Sequence, residues 1–229
     1  MLESLKKYLP YQGMKYIKPE KAGNLTETMS NLRQLAQSSR NEFTLLSQSL
    51  AERVGPFRAE RVSQWMNQAQ YCRPHFWCYY RLPSDHPDDV AMAIRLFGNY
   101  NHFGISVEVS FIERKRSEES LRKQNKVLSI PISSPLYYIV QKDGTSAKIE
   151  GTEENRQMLI QSVNNAQVRK VLVKKDVIYD DTQTMEQFLD KLYKAFNELL
   201  PYYFRDYQGL IRSAIRPNRL IRVIFQAGL

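Results

Sequence analysis

The sequence predicts an α+β domain, with N-terminal helices packed on a mainly antiparallel sheet and a long amphipathic helix near the C-terminus. Three observations predict it. Apolar residues recur at helical spacing up to Val54, and the period then shortens to two in three β-rich runs parted by turn residues. A helical period returns from Met185 behind a capped start. With 229 residues, 42% of them hydrophobic, the chain has the material for a buried core.

The opening stretch YLPYQGMKYIKPEKAG carries tyrosine, proline and glycine without a period, so residues 1–24 are expected to be an ordered arm and residues 25–229 a single α+β domain. Leu25, Met29, Leu32 and Leu35 or Ala36 then share one helical face. Phe43, Leu46, Leu50 and Val54 share another before Gly55-Pro56 stops the helix, and Val62, Trp65, Met66 and Ala69 suggest a third. HFWCYYRL, VAMAIRLF and ISVEVSFI follow as strands of a meander, separated by PSDHPD and GNYNHFG.

A turn centred near Asn101 makes residues whose numbers sum to about 202 face each other. Ala93 or Ile94 then lies opposite Val109 or Ser110, Asp88 opposite Arg114, and Asp89 opposite Glu113. Met92, Ile94 and Leu96 are bulkier than Ala91, Ala93 and Phe97, so they are the better core face; truncating Arg95 is expected to be nearly neutral.

SEESLRKQNK suggests a short polar helix from Ser117 and PISSP an extended linker. LYYIVQ, turning at Lys142-Asp143-Gly144 into a short strand near residues 147–149, suggests a hairpin. Thr152 is placed to cap a helix through Val163, and VRKVLVKK forms a further strand. Thr184 and Gln187 have the spacing of a capping box. Met185, Phe188, Leu189, Leu192, Phe196 and Leu199 hold one face of the helix behind it, and Pro201 is expected to end it.

Net charge +9 and pI near 9.5 imply attraction to polyanions or acidic partners. The excess concentrates at the C-terminus, where Arg212, Arg216, Arg219 and Arg222 recur through LIRSAIRPNRLIRVIF without lysine. Arginine favours planar contacts to phosphate or carboxylate. A helix ending near Arg216 and a strand over residues 220–225 would present them, because Pro217 interrupts the turn. Arg114 and Arg116 belong to a second basic stretch, and these six arginines are the candidate anion-binding residues.

Pro87-Asp88 followed by Glu113-Arg114-Lys115 resembles the PD-(D/E)xK nuclease signature. That resemblance implies that Asp88 and Glu113 hold Mg²⁺ or Mn²⁺ while Lys115 assists the attacking water. Cross-strand ion pairs are the alternative reading of the same residues. Tyr79-Tyr80, Tyr137-Tyr138 and Tyr202-Tyr203 are doublets. In a strand one member enters the core while its neighbour takes the other face, and Tyr, Phe76 or Trp77 beside arginine suits nucleobase stacking.

Other chemistries find little support. Cys72 and Cys78 are too far apart along a strand to bridge, and His75, His86 and His102 show no ligand spacing with them, which argues against zinc. His75 and Cys78 fall on opposite strand faces, which argues against a Cys-His dyad. No P-loop, G-x-S-x-G or G-x-G-x-x-G string occurs. Apolar runs fall short of the ~20 residues needed to span a bilayer.

The expectation is therefore a cytoplasmic binding or interaction protein without a cofactor, its partner nucleic acid or another polyanion. One alternative is a metal-dependent nuclease using Asp88, Glu113 and Lys115. Another is a regulatory subunit docking an acidic protein surface. Oligomeric state is not indicated.

Overall fold

A computed structural model describes residues 2–86, 89–110 and 118–204. In chain order the elements are α1 (Glu3–Tyr8), α2 (Thr26–Arg53), β1 (Arg58–Ala59), β2 (Trp77–Arg81), β3 (Ala91–Asn99), β4 (His102–Ser110) and α3 (Glu118–Asn125). Then come β5 (Tyr137–Lys142), β6 (Thr145–Glu150), α4 (Glu153–Asn164), β7 (Lys170–Ile178) and α5 (Met185–Tyr203). The strands form one seven-stranded sheet in the order β1-β2-β3-β4-β7-β5-β6, and every pairing is antiparallel. This is the expected α+β architecture, with α5 as the long amphipathic helix.

The two expected N-terminal helices are one helix of 28 residues. Both apolar faces, Met29-Leu32-Ala36 and Phe43-Leu46-Leu50, are buried along it. The polar stretch between them holds no breaker, and the Ser39 hydroxyl is satisfied by the Leu35 and Ser4 carbonyls, both at 2.7 Å.

The expected helix through Val62 and Ala69 does not form. Its carbonyls are taken by tertiary partners: Arg40 donates to Val62 and Ser63, both at 3.0 Å, and the Tyr8 hydroxyl donates to Trp65 at 2.8 Å. Such contacts override a weak local preference. Pro201 likewise sits inside α5 and does not end it. Its missing amide costs one bond, while the next two side chains anchor the last turn. The Tyr202 hydroxyl donates to Pro131 O at 2.8 Å and the Tyr203 hydroxyl to Asp85.

The β3–β4 hairpin corrects the expected register by one. Ala93 faces Glu108 and Ile94 faces Val107, not Val109 or Ser110. The turn is the pair Tyr100-Asn101, closed by Asn99 Oδ1, which accepts from the amides of Asn101 and His102, each at 3.0 Å. Its centre therefore lies half a residue earlier than Asn101.

One sheet face meets the helices. Tyr80, Met92, Ile94, Leu96, Ile105, Val107, Val109, Tyr138, Val140, Val171 and Val173 join Phe43, Phe188, Leu192 and Phe196 in one core cluster. Met92, Ile94 and Leu96 are thus the core face, as their volume implied. Lys175 is a charged residue on this side and pairs with Glu198 of α5. Ala91, Ala93, Tyr137 and Leu172 are also buried, yet they lie outside that cluster, on the opposite face.

Candidate functional site on the polar sheet face

Two consecutive rows of side chains cross the opposite face. The first runs Tyr79, Ala93, Glu108, Lys174, Tyr137 and Glu150, each directly opposite the next in the ladder. The second runs Trp77, Arg95, Ser106 and Asp176. The face is built by alternation: Tyr79 and Tyr137 lie on it while their neighbours Tyr80 and Tyr138 enter the core, as the strand doublets predict. The third doublet, Tyr202-Tyr203, is helical and both members are buried.

At the centre Glu108 is 1% exposed and holds two cations. Arg95 Nη2 and Nε donate to Oε1 at 2.7 and 3.1 Å, Nε also reaches Oε2 at 3.2 Å, and Lys174 Nζ lies 2.9 Å from Oε2. Ala93, directly opposite Glu108, leaves room for the guanidinium to cross. Burial opposes the Glu108 carboxylate's ionisation, but Arg95 and Lys174 outweigh it and hold its pKa well below the usual range. Arg95 is correspondingly held charged against the cost of its own burial. The expectation that Arg95 is dispensable is therefore wrong, because it neutralises a buried charge.

Beside this pair stands an aromatic cluster. The Arg73 guanidinium lies 4.8 Å and that of Arg95 5.3 Å from the Trp77 ring centre, and the His75 ring is 5.6 Å from Trp77. Stacking occupies the face of a guanidinium and leaves its N–H edge for an acceptor. Arg95 spends that edge on Glu108. Arg73 does not: its buried Nε has no hydrogen-bond partner, and no carboxylate pairs with it among the described residues. Burial, followed by the nearby Arg95, pushes the His75 imidazole down to about 4, so His75 is neutral at pH 7.

Farther along, the Tyr137 hydroxyl donates to Asp176 at 2.7 Å. Lys148 lies 3.8 Å from the Tyr137 ring centre and 3.6 Å from Asp176. Four cations (Arg73, Arg95, Lys148 and Lys174) thus face three carboxylates, Glu108, Asp176 and Glu150.

The residues singled out from the sequence lie elsewhere. Asp88, Glu113, Lys115, Arg114, Arg116, Arg212, Arg216, Arg219 and Arg222 are all outside the described residues. Asp89, expected to face Glu113, is engaged by Lys123 at 2.6 Å and by the His86 amide at 2.8 Å. Phe76 is fully buried in the core, so only Trp77 of that aromatic pair stands beside arginine. Cys72 and Cys78 are buried free thiols, and burial pushes Cys78 up to about 11. Among the described residues no group of three His, Cys, Asp or Glu side chains could hold a metal. No helix among them is long and apolar enough to cross a membrane.

Glu108, Lys174 and Arg95 were missed because a polar residue at a strand's alternate position looks solvated. The available signal was ISVEVSFI, where a lone glutamate interrupts a run otherwise apolar or hydroxylic. No family model, curated protein or solved structure matches this chain significantly.

Proposed function

We propose that this chain is a binding protein for polyanions, nucleic acid foremost, and that the polar sheet face is its contact surface. The surplus of cations on that face supports the reading, and Arg73 carries it. A guanidinium stacked on Trp77, with no acid beside it among the described residues, is a donor set oriented before any anion arrives. Lys148 on β6 and Lys174 on β7 extend the positive charge to either side of β5. Trp77, Tyr79 and Tyr137 interleave aromatic surface with that charge, the combination that suits single-stranded nucleic acid.

The test is fluorescence anisotropy with single-stranded and duplex oligonucleotides across a salt series. Binding should weaken steeply with salt, because each phosphate neutralised releases counterions at about 0.7 units of log–log slope for a single strand. Arg73→Ala combined with Lys148→Ala should weaken binding and flatten that slope. Undetectable binding at about 50 mM salt, where phosphate contacts are strong, overturns the proposal. If only replacement of Arg216, Arg219 and Arg222 flattens the slope, the contact surface is the C-terminal arginines and not the sheet. Repeating the incubation with Mg²⁺ or Mn²⁺ shows whether a bound strand is also cut, as the resemblance at Asp88, Glu113 and Lys115 implies.

A further inference from the structure

At one edge of the sheet β1 has two residues, whereas β6 at the other has six, all exposed but Ile149. The turn before β6 fixes which of its backbone groups are spent. Asp143 and Gly144 both have positive φ, 48° and 77°, which is the two-residue turn whose flanking residues, here Lys142 and Thr145, exchange hydrogen bonds. Thr145, Ala147 and Ile149 therefore bond to β5, while Ser146, Lys148 and Glu150 point their amides and carbonyls outward. The Glu150 carbonyl is already taken by the Thr152 amide and the Asn155 side chain, both at 3.0 Å. The amides and carbonyls of Ser146 and Lys148 have no partner among the described residues.

Sheets blunt such an edge with proline, a bulge or an outward lysine. β6 has no proline, and its register with β5 runs unbroken. Lys148 lies back over the polar face, 3.8 Å from the Tyr137 ring centre and 3.6 Å from Asp176. Charge also singles this edge out. Residues 142–156 hold Lys142, Lys148 and Arg156 against Asp143, Glu150, Glu153 and Glu154, a net −1 that leaves +10 on the rest of a chain of net charge +9. Two such chains repel over most of their surface and not here. On the core side of the edge, Met158 of α4 is 46% exposed and lines a recess with Thr145, Ala147 and Ile149.

We propose that β6 pairs antiparallel with β6 of a second copy of this chain, about a twofold axis that passes through Ala147 perpendicular to the sheet. Such an axis keeps both helical layers on one side and both polar faces on the other, so each residue opposes one of its own parity. A register centred on Lys148 sets two lysines against each other. That register and one centred on Ile149 both require the occupied Glu150 carbonyl, and one centred on Ser146 sets Lys148 beside the turn. The Ala147 register needs only the free groups: Ser146 of each copy exchanges both its bonds with Lys148 of the other. It places the strand's smallest side chain against itself in a non-hydrogen-bonded pair, where strands approach closest, and Thr145 against Ile149 next to the exposed Met158. A second copy meets these conditions by symmetry and brings the same near-neutral edge, which favours it over a strand of another protein.

This pairing does not rest on the sheet-face proposal, and its test uses the full chain. Sedimentation equilibrium up to about 1 mM protein, a range that detects weak association, should show monomer in equilibrium with dimer. Ser146→Pro removes an outward amide and no bond to β5, so it should weaken dimerisation by about tenfold or more while the urea midpoint stays close to that of the wild type. Ser146→Ala should dimerise as the wild type does, and so should Arg73→Ala. Disulfide trapping under mild oxidation reads the register. Ala147→Cys should give a linked dimer on a non-reducing gel, because its two sulfurs meet at the axis, and Lys148→Cys should give little; Cys72 and Cys78 are buried and do not compete. A chain that stays monomeric over this range leaves the edge to a strand of other origin and overturns the inference. Undiminished dimerisation by Ser146→Pro, or stronger trapping by Lys148→Cys than by Ala147→Cys, overturns it too.

Discussion

Truncating Arg95 to alanine leaves Glu108 with one cation in place of two, in a site from which water is excluded. Breaking a buried pair by removing one partner costs about 3–5 kcal/mol, so urea unfolding of Arg95→Ala should show a loss of that order. Replacing Arg95, Glu108 and Lys174 together by methionine should cost far less, because no buried charge is left without its partner. Equal losses in the two variants would show that packing, not charge, holds this point.

His75 gives the second prediction at this scale. Its folded pKa of about 4 lies below the ordinary histidine value of 6.5, so the unfolded chain takes up the proton first. Stability therefore declines as pH falls from about 6.5 to about 4, by at most about 1.4 kcal/mol for each unit of pKa difference. His75→Phe should flatten the decline in that window. The Glu108 contribution is intact above the ordinary carboxylate range and is lost only at lower pH, as pH falls toward its depressed folded pKa. Little of this was legible beforehand. Arg95 and Glu108 each look like a solvent-facing strand residue, and their mutual burial depends on which strands become neighbours.

Among the elements, the β3–β4 hairpin concentrates its constraint at Gly98. Its φ is +101°, and an added Cβ would meet His102 O at 2.2 Å. Gly144 also has positive φ, +77°, but open space around it. Gly144→Ala should cost about 1–3 kcal/mol from backbone strain alone, while Gly98→Ala should cost clearly more, because backbone must also move. Midpoints from urea titration rank the two, and a Gly98→Ala loss no larger than that of Gly144→Ala would contradict the close approach.

Local chemistry made several elements readable. The Thr184–Gln187 capping box forms as its spacing predicts, Thr152 caps α4, and Asp143-Gly144 turns the β5–β6 hairpin. Elements whose fate depends on distant partners were not readable. The segment around Trp65 gives its carbonyls to Arg40 and Tyr8 and so forgoes a helix, and α5 continues past Pro201 because Tyr202 and Tyr203 find acceptors in other parts of the chain.

At the scale of the whole molecule, strand order departs from chain order at one place, where β7 enters between β4 and β5. It pairs along both edges, from Gly104↔Ile178 to Val109↔Val173 on one side and from Tyr137↔Lys174 to Gln141↔Lys170 on the other. Amides of β7 should therefore exchange with solvent only through global unfolding, whereas those of the edge strands β1 and β6 should exchange through cheaper local openings. Native-state hydrogen exchange distinguishes the two classes, and fast exchange in β7 would show that the sheet opens at its middle.

That insertion also makes the charged row a check on pairing. A strand slipped by one residue turns every side chain to the other face. For β7, a slip in the direction that brings Val173 opposite Glu108 would thrust Lys174 and Asp176 among the aromatic rings of the helical side. Two ions would lose their partners at once, and the glutamate would keep only Arg95. The same charges that the proposed anion contact would use thus penalise that misaligned pairing, so the polar face and this register are set in a single step.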